Sequence, residues 1–98
     1  MFGLPEATLT LIRDYFAAQP DIEKVVIYGS RAMGREENGS DIDLAVWTKG
    51  DKNLAGKIKG DLEALSTPYS FDVTDYRRIT HVPLKEHIDK VGREIYAR

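Results

Sequence analysis

The chain contains no cysteine. That excludes disulfides and thiolate zinc sites, and with them the small secreted scaffolds held together by either. No apolar run approaches the ~20 residues that a membrane span requires. The opening residues, Met1 to Thr10, lack the basic and apolar regions of a secretory signal. A soluble, cytoplasmic protein with no membrane association is therefore expected. Positive charge is not in excess: 14 Lys and Arg face 16 Asp and Glu, for a net charge of −2. No global basic field is available to hold nucleic acid, although a weak local contact through Lys49, Lys52, Lys57 and Lys59 stays open. Repeats, low-complexity segments and linkers are also missing. What is there is 98 residues, 42% hydrophobic, which suits one domain over 1–98 with a single core. Such a chain is too short for a deep cleft between domains, so an enzyme of this size that acts on a large substrate needs walls from another chain.

Helical and strand patterns alternate along the chain. Residues 5–18 place Leu4, Ala7, Leu11, Ile12, Tyr15 and Phe16 on one helical face, with Pro5 in the first turn and Pro20 past the end. "KVVIYG" reads as a strand apolar on both faces, as in the centre of a sheet. "SRAMGREE" reads as a short, weak helix, and Asn38-Gly39-Ser40 as a turn. "DIDLAVWT" is a second strand. Leu54, Ile58, Leu62 and Leu65 have helical spacing, with Asp51 or Asn53 as candidate caps. "YSFDVTDY" is a third, shorter strand. Residues 83–98 predict a last helix with Leu84, Ile88, Val91 and Ile95 on one face. The order α-β-(α)-β-α-β-α implies an α/β fold: a small mixed β-sheet with helices packed on it. The first two strands could instead pair as an antiparallel hairpin, but the segment between Gly29 and Asp41 is long for a tight turn, and a connecting helix is preferred.

The chemistry concentrates between Gly29 and Asp43. Alternate residues of a strand share a face, so Asp41 and Asp43 point together while Ile42, Leu44 and Val46 enter the core. Two carboxylates placed so repel each other unless a cation lies between them. Hard cations such as Mg²⁺ take carboxylate oxygens together with substrate phosphate oxygens. Asp72, alternating with Phe71 and Val73, is the expected third ligand, with Asp75 in reserve. Three carboxylates can hold two metal ions about 3.5–4 Å apart, which stabilise the attacking and leaving oxygens of an in-line displacement. Gly29 permits close backbone approach to a ligand. Ser30 is a candidate cap of the following helix, whose exposed N–H groups would attract phosphate. Arg31 or Arg35 could add charge.

The pattern Gly-Ser, ten residues, Asp-x-Asp resembles that of the polymerase β-like nucleotidyltransferases. "GSRAMGREENGSDIDLAV" is similar above all to their smallest branch, the minimal nucleotidyltransferases (MNT), and the resemblance extends over nearly the whole chain. It implies the nucleotidyltransferase fold. It implies that Gly29 and Ser30 bind the β and γ phosphates, that Asp41 and Asp43 bind two Mg²⁺ ions, and that Asp72 binds one metal and acts as or assists the general base. The implied reaction is transfer of a nucleoside monophosphate from ATP or another NTP, with release of pyrophosphate. A helical HEPN-type partner, in a toxin–antitoxin pair, is implied as well. The alternative is an antitoxin that neutralises its partner by occlusion with catalysis weak or lost. A γ-phosphate transferase of another α/β type is a third reading.

Plainer roles compete at several positions. Trp47 shares the face of Asp41 and Asp43 and could stack on a base, but helix packing accounts for it. His81 and His87 lack a ligand partner at metal spacing and read as surface histidines. The four lysines read as the wet side of a helix and its approach.

Overall fold

The computed structural model describes residues 1–37 and 39–98; Asn38, which opens the expected turn at 38–40, lies outside the described residues. The elements are α1 (Glu6–Ala17), β1 (Ile22–Tyr28), α2 (Gly29–Ala32), β2 (Ile42–Thr48), α3 (Ala55–Glu63), β3 (Phe71–Asp75), a short 3₁₀ turn (Tyr76–Arg78), α4 (Val82–Val91) and β4 (Arg93–Ala97). The strands form one sheet in the order β3-β2-β1-β4. β1 pairs antiparallel with both β2 and β4, and β2 pairs parallel with β3. The sheet is mixed, as expected. The antiparallel pairing of β1 with β2 and the short connecting helix occur together.

Two apolar layers flank the sheet. On one face α1 and α3 bring Leu9, Ile12, Phe16, Ile58 and Leu62 onto Val25, Ile27, Ile42, Leu44, Val46 and Phe71. On the other, α4 sets Ile88 on Val26, Tyr28 and Ala45, flanked by Trp47, Tyr76, Ile79 and Leu84. β1 and β2 are therefore apolar on both faces because both faces are covered. The buried stripe of α1 is rotated from the expected one: Thr8 and Leu9 point inward, while Ala7 and Leu11 are exposed. Asn53, one of the two candidate caps of α3, accepts the Ala55 N–H at 3.1 Å.

The C-terminal helix predicted over 83–98 is corrected. It stops at Val91, and residues 93–97 form a strand. A Cβ at Gly92 would collide with the Val26 side chain and the Ile88 carbonyl, so the chain crosses β1 where only glycine fits. Beyond it, Ile95 is buried in the α1 layer and Tyr96 stacks on Phe16 at 6.2 Å. The backbone of 93–97 satisfies the second edge of β1, which a helix would have left unpaired. Ile88 and Ile95 lie seven apart, a spacing that also mimics a continuing helix.

Candidate active site

The site is built on one ladder row. Tyr28 is the partner of Asp43 across β1–β2, and Asp43 is the partner of Asp72 across β2–β3. Neighbouring strands are about 4.8 Å apart, so the two carboxylates stand side by side on the α4 face. Asp41 lies immediately before β2 and is exposed, as is Asp72; Asp43 is half-buried. Tyr28 leads directly into Gly29, whose φ is +73°. A Cβ on Gly29 would collide with the Asp43 carboxylate. Glycine is required twice over, by the left-handed backbone and by the carboxylate lying against it.

The electrostatics record the crowding. The Asp43 carboxyl is pushed above the usual carboxylate range, first by burial, then by Asp72 and Asp41; His87 and Arg31 pull it partly back. The Tyr28 hydroxyl shares a hydrogen bond with Thr74 Oγ1 at 3.3 Å. Burial raises its pKa most, the Thr74 bond opposes this, and Asp72 and Asp43 raise it further. An all-oxygen donor set whose central member resists ionisation fits a hard divalent cation. Among the described residues, no three carboxylate or imidazole groups already converge as a metal-binding cluster, so a cation would have to draw these side chains together.

Four sequence expectations meet particular surroundings. Ser30 does not cap α2: Tyr28 holds the position before the helix, without a side-chain cap, and Ser30 is its second residue. Arg31 is buried, and its guanidinium donates to the carbonyls of Ser40, Phe2 and Gly3, with the Tyr69 ring 5.1 Å away. Its donors tie the N-terminal turn to the segment before Asp41, so it is spent on backbone where a phosphate contact was expected. Asp75, the reserve ligand, is buried and accepts from the Arg77 N–H at 3.1 Å and the Arg78 guanidinium at 3.3 Å. Trp47 stacks on Tyr76 at 4.3 Å, and the Lys24 ammonium lies 4.2 Å from its ring centroid.

Sequence reasoning passed over four neighbours of the row. Tyr28 and Thr74 looked like ordinary strand residues; the ladder register, together with the two-residue step from Asp72, places both beside the carboxylates. His87 looked like a surface histidine. It is half-buried, in T-shaped contact with the Tyr28 ring at 6.1 Å. Lys59, read as a wet helix residue, donates to the Phe71 carbonyl at 2.6 Å and to Glu63 at 2.8 Å. Its pKa is raised first by the Glu63 bond, with smaller contributions from Asp72 and Asp41. The carboxylate row itself is open. Depressions of about 370 Å³, at Asp21, Lys49, Asp51 and Leu54, and about 260 Å³, at Lys24, Trp47 and Ile88, lie away from it.

Similar proteins are consistent with this geometry. A chain of a toxin–antitoxin complex solved with AMP-PNP superimposes with a TM-score of 0.67 at 22% identity, covering 97% of this chain and 75% of that one. A chain of the tri-AMPylated HEPN toxin–MNT antitoxin complex of Shewanella oneidensis gives 0.64 at 16%, covering 92% and 73%. A candidate nucleotidyltransferase from Sulfolobus solfataricus gives 0.56 at 23%, covering 98% and 92%. At such identities the likeness establishes the fold. No curated protein matches the sequence. The polymerase beta nucleotidyltransferase profile, however, matches residues 11–98. That span contains the Gly-Ser turn, the Asp-x-Asp strand and the strand of Asp72, and the chain belongs to the polymerase beta nucleotidyltransferase family.

Proposed function

We propose that this chain transfers AMP from ATP to a hydroxyl of a HEPN-type partner protein, with Mg²⁺ held by Asp41, Asp43 and Asp72. The observation that carries the reading is the row itself: Asp43 in register with Asp72, crowded by Asp41, and pressed against the glycine that opens the Gly29–Ser30 turn. The backbone at Gly29 and the Ser30 hydroxyl receive the β and γ phosphates. Asp72, exposed at the outer strand of the site, takes the proton of the acceptor hydroxyl. The acceptor oxygen then bonds to the α phosphorus as the bond to the bridging oxygen breaks, and pyrophosphate leaves. Mg²⁺ bound here would supply charge neutralisation and polarise the phosphate oxygens. Arg31 supports the site from behind, through its carbonyl contacts. The open carboxylate row leaves base and acceptor without walls, which is what a partner chain would supply. The fold neighbours found in toxin–antitoxin complexes support the choice of partner.

A second reading has its own observation. No three ligands are preset among the described residues, as in an antitoxin that works by occlusion with catalysis weakened. Label transfer from ATP tagged at the α or the γ phosphate separates these, run with Mg²⁺ in lysate of the source organism, wild type beside Asp43→Asn. Label from the α position, lost in the variant, is the expected result. Label only from γ would overturn the reading. An Asp43→Asn chain that still neutralised its partner fully would give the role to occlusion.

A further inference from the structure

We infer that His87 is the side-chain donor of the phosphate cradle, facing the triphosphate held at Gly29–Ser30. This rests on the function proposed above. A polyphosphate carries several negative charges, and backbone N–H groups with one hydroxyl would meet it with no formal charge of their own. Arg31 is the nearest cation in sequence, but its donors end on three backbone carbonyls. Arg35 is exposed beyond Gly34.

The fold brings His87 to the place that Arg31 vacates. α4 covers the sheet face on which the carboxylates stand, and it packs against both α2 and β1. Ile88 anchors the helix on Val26, Tyr28 and Ala45, and His87 is the residue before it. There the imidazole meets the ring of Tyr28, the residue joined to Gly29. Neighbouring polar side chains are engaged elsewhere: the Tyr28 hydroxyl with Thr74, and the Tyr76 hydroxyl with Asp89 at 2.5 Å. A half-buried imidazole in T-shaped contact with the Tyr28 ring carries an N–H donor in either protonation state. The plain alternative is that His87 only packs on Tyr28.

The two roles separate in a set of substitutions read by NMR titration with inorganic tripolyphosphate, Mg-ATP and adenosine. His87→Phe keeps the ring contact and removes the donors. It should weaken tripolyphosphate and Mg-ATP about tenfold, the loss of one hydrogen bond to a charged group, and leave adenosine unchanged. In the label-transfer assay the KM for ATP should rise while kcat holds. His87→Gln retains a donor and should stay within about threefold of wild type, whereas His87→Glu, opposing the phosphates, should lose at least tenfold. Should His87→Phe fail to fold, the Gln and Glu variants decide between them. Wild-type affinity in His87→Phe, or equal affinity in the Gln and Glu variants, would overturn the inference alone. A wild-type chain that binds neither tripolyphosphate nor Mg-ATP would overturn the phosphate cradle itself.

Discussion

Gly29→Ala is the sharpest single test of the site, because the structure supplies its control. Gly29 and Gly34 have φ of +73° and +70°. Alanine at either position takes on the left-handed backbone strain of about 1–2 kcal/mol, part of which is offset by a less flexible unfolded chain. The surroundings differ. Around Gly34 a new Cβ meets nothing within 4 Å, whereas at Gly29 it meets the Asp43 carboxylate. The carboxylate can escape by rotating off its preferred rotamer, at roughly 0.5–1.5 kcal/mol. The two variants should thus differ by only about 1 kcal/mol in urea denaturation, or roughly 4–8 °C in Tm for a domain of this size. Their activities should differ far more. Misplacing a group in the reacting site by about 1 Å can cost 10²-fold, so Gly29→Ala should lose about that factor in AMP transfer while Gly34→Ala stays near wild type. Removing the carboxylate completes the argument: in an Asp43→Ala background, Gly29→Ala and Gly34→Ala should be equally destabilising. Equal transfer rates in the two glycine variants, at a temperature where both are folded, would refute the placement of Asp43 against this turn.

Asp43→Asn should raise the denaturation midpoint at neutral pH even as it abolishes transfer. A carboxyl whose folded pKa is raised takes up a proton more readily in the folded chain, so its charge lowers stability as pH rises from the ordinary carboxylate range through the folded pKa. Removing that charge relieves the penalty, and the gain should vanish in acid below about pH 3.9; an unchanged or lower neutral midpoint would contradict it. Added Mg²⁺ should stabilise the wild type by about 1.4 kcal/mol at ten times its dissociation constant, and Asp43→Asn by much less. Tyr15→Phe should cost about 1 kcal/mol by deleting the 2.7 Å hydrogen bond from its hydroxyl to Asp61. The Tyr15 pKa is raised, by burial first and then by that bond and the Asp61 charge. Wild type should therefore lose stability as pH climbs above about 10, where the unfolded phenol ionises first, and Tyr15→Phe should show a shallower slope, the remainder coming from Tyr28 and Tyr76, whose pKa values are also raised. Ile95→Ala should cost about 2–4 kcal/mol by emptying a core site and should lower amide-exchange protection in β1. Full protection would mean that residues 93–97 do not seal that edge.

How far the sequence could be read depended on the range of the forces involved. The Asp-x-Asp strand was legible because alternation is a local rule: Ile42, Leu44 and Val46 had to be buried, which left Asp41 and Asp43 together. Placing Asp72 outward followed from the same rule applied to Phe71. The alternation could not show that Asp72 is the in-register neighbour of Asp43, because register is set by strand pairing over 29 positions of chain. β4 was illegible for a related reason. Ile88 and Ile95 satisfy a helical period on paper, and only the unpaired edge of β1, with Val26 crowding Gly92, makes the strand the better solution. On α1 the period was right, but the stripe was turned, because Thr8 and Leu9 meet layers that the helix alone does not define.

The same limit governs the cations. Sequence proximity singled out Arg31, since a positive residue beside a glycine turn is where a phosphate contact belongs. Whether that charge is free depends on which carbonyls lack partners, and those of Phe2, Gly3 and Ser40 lie 29, 28 and 9 positions away. Burying an arginine without such acceptors would cost several kcal/mol; with them, it fixes the approach to Asp41 at the expense of substrate contact. Under the proposed function, a site that binds polyphosphate must then recruit its donors from another element. The fold, rather than the chain order, brings His87 on α4 beside Tyr28 and Lys59 beside β3. Lys59 is already held by Glu63 and the Phe71 carbonyl, which leaves the His87 imidazole as the side chain with a donor to give.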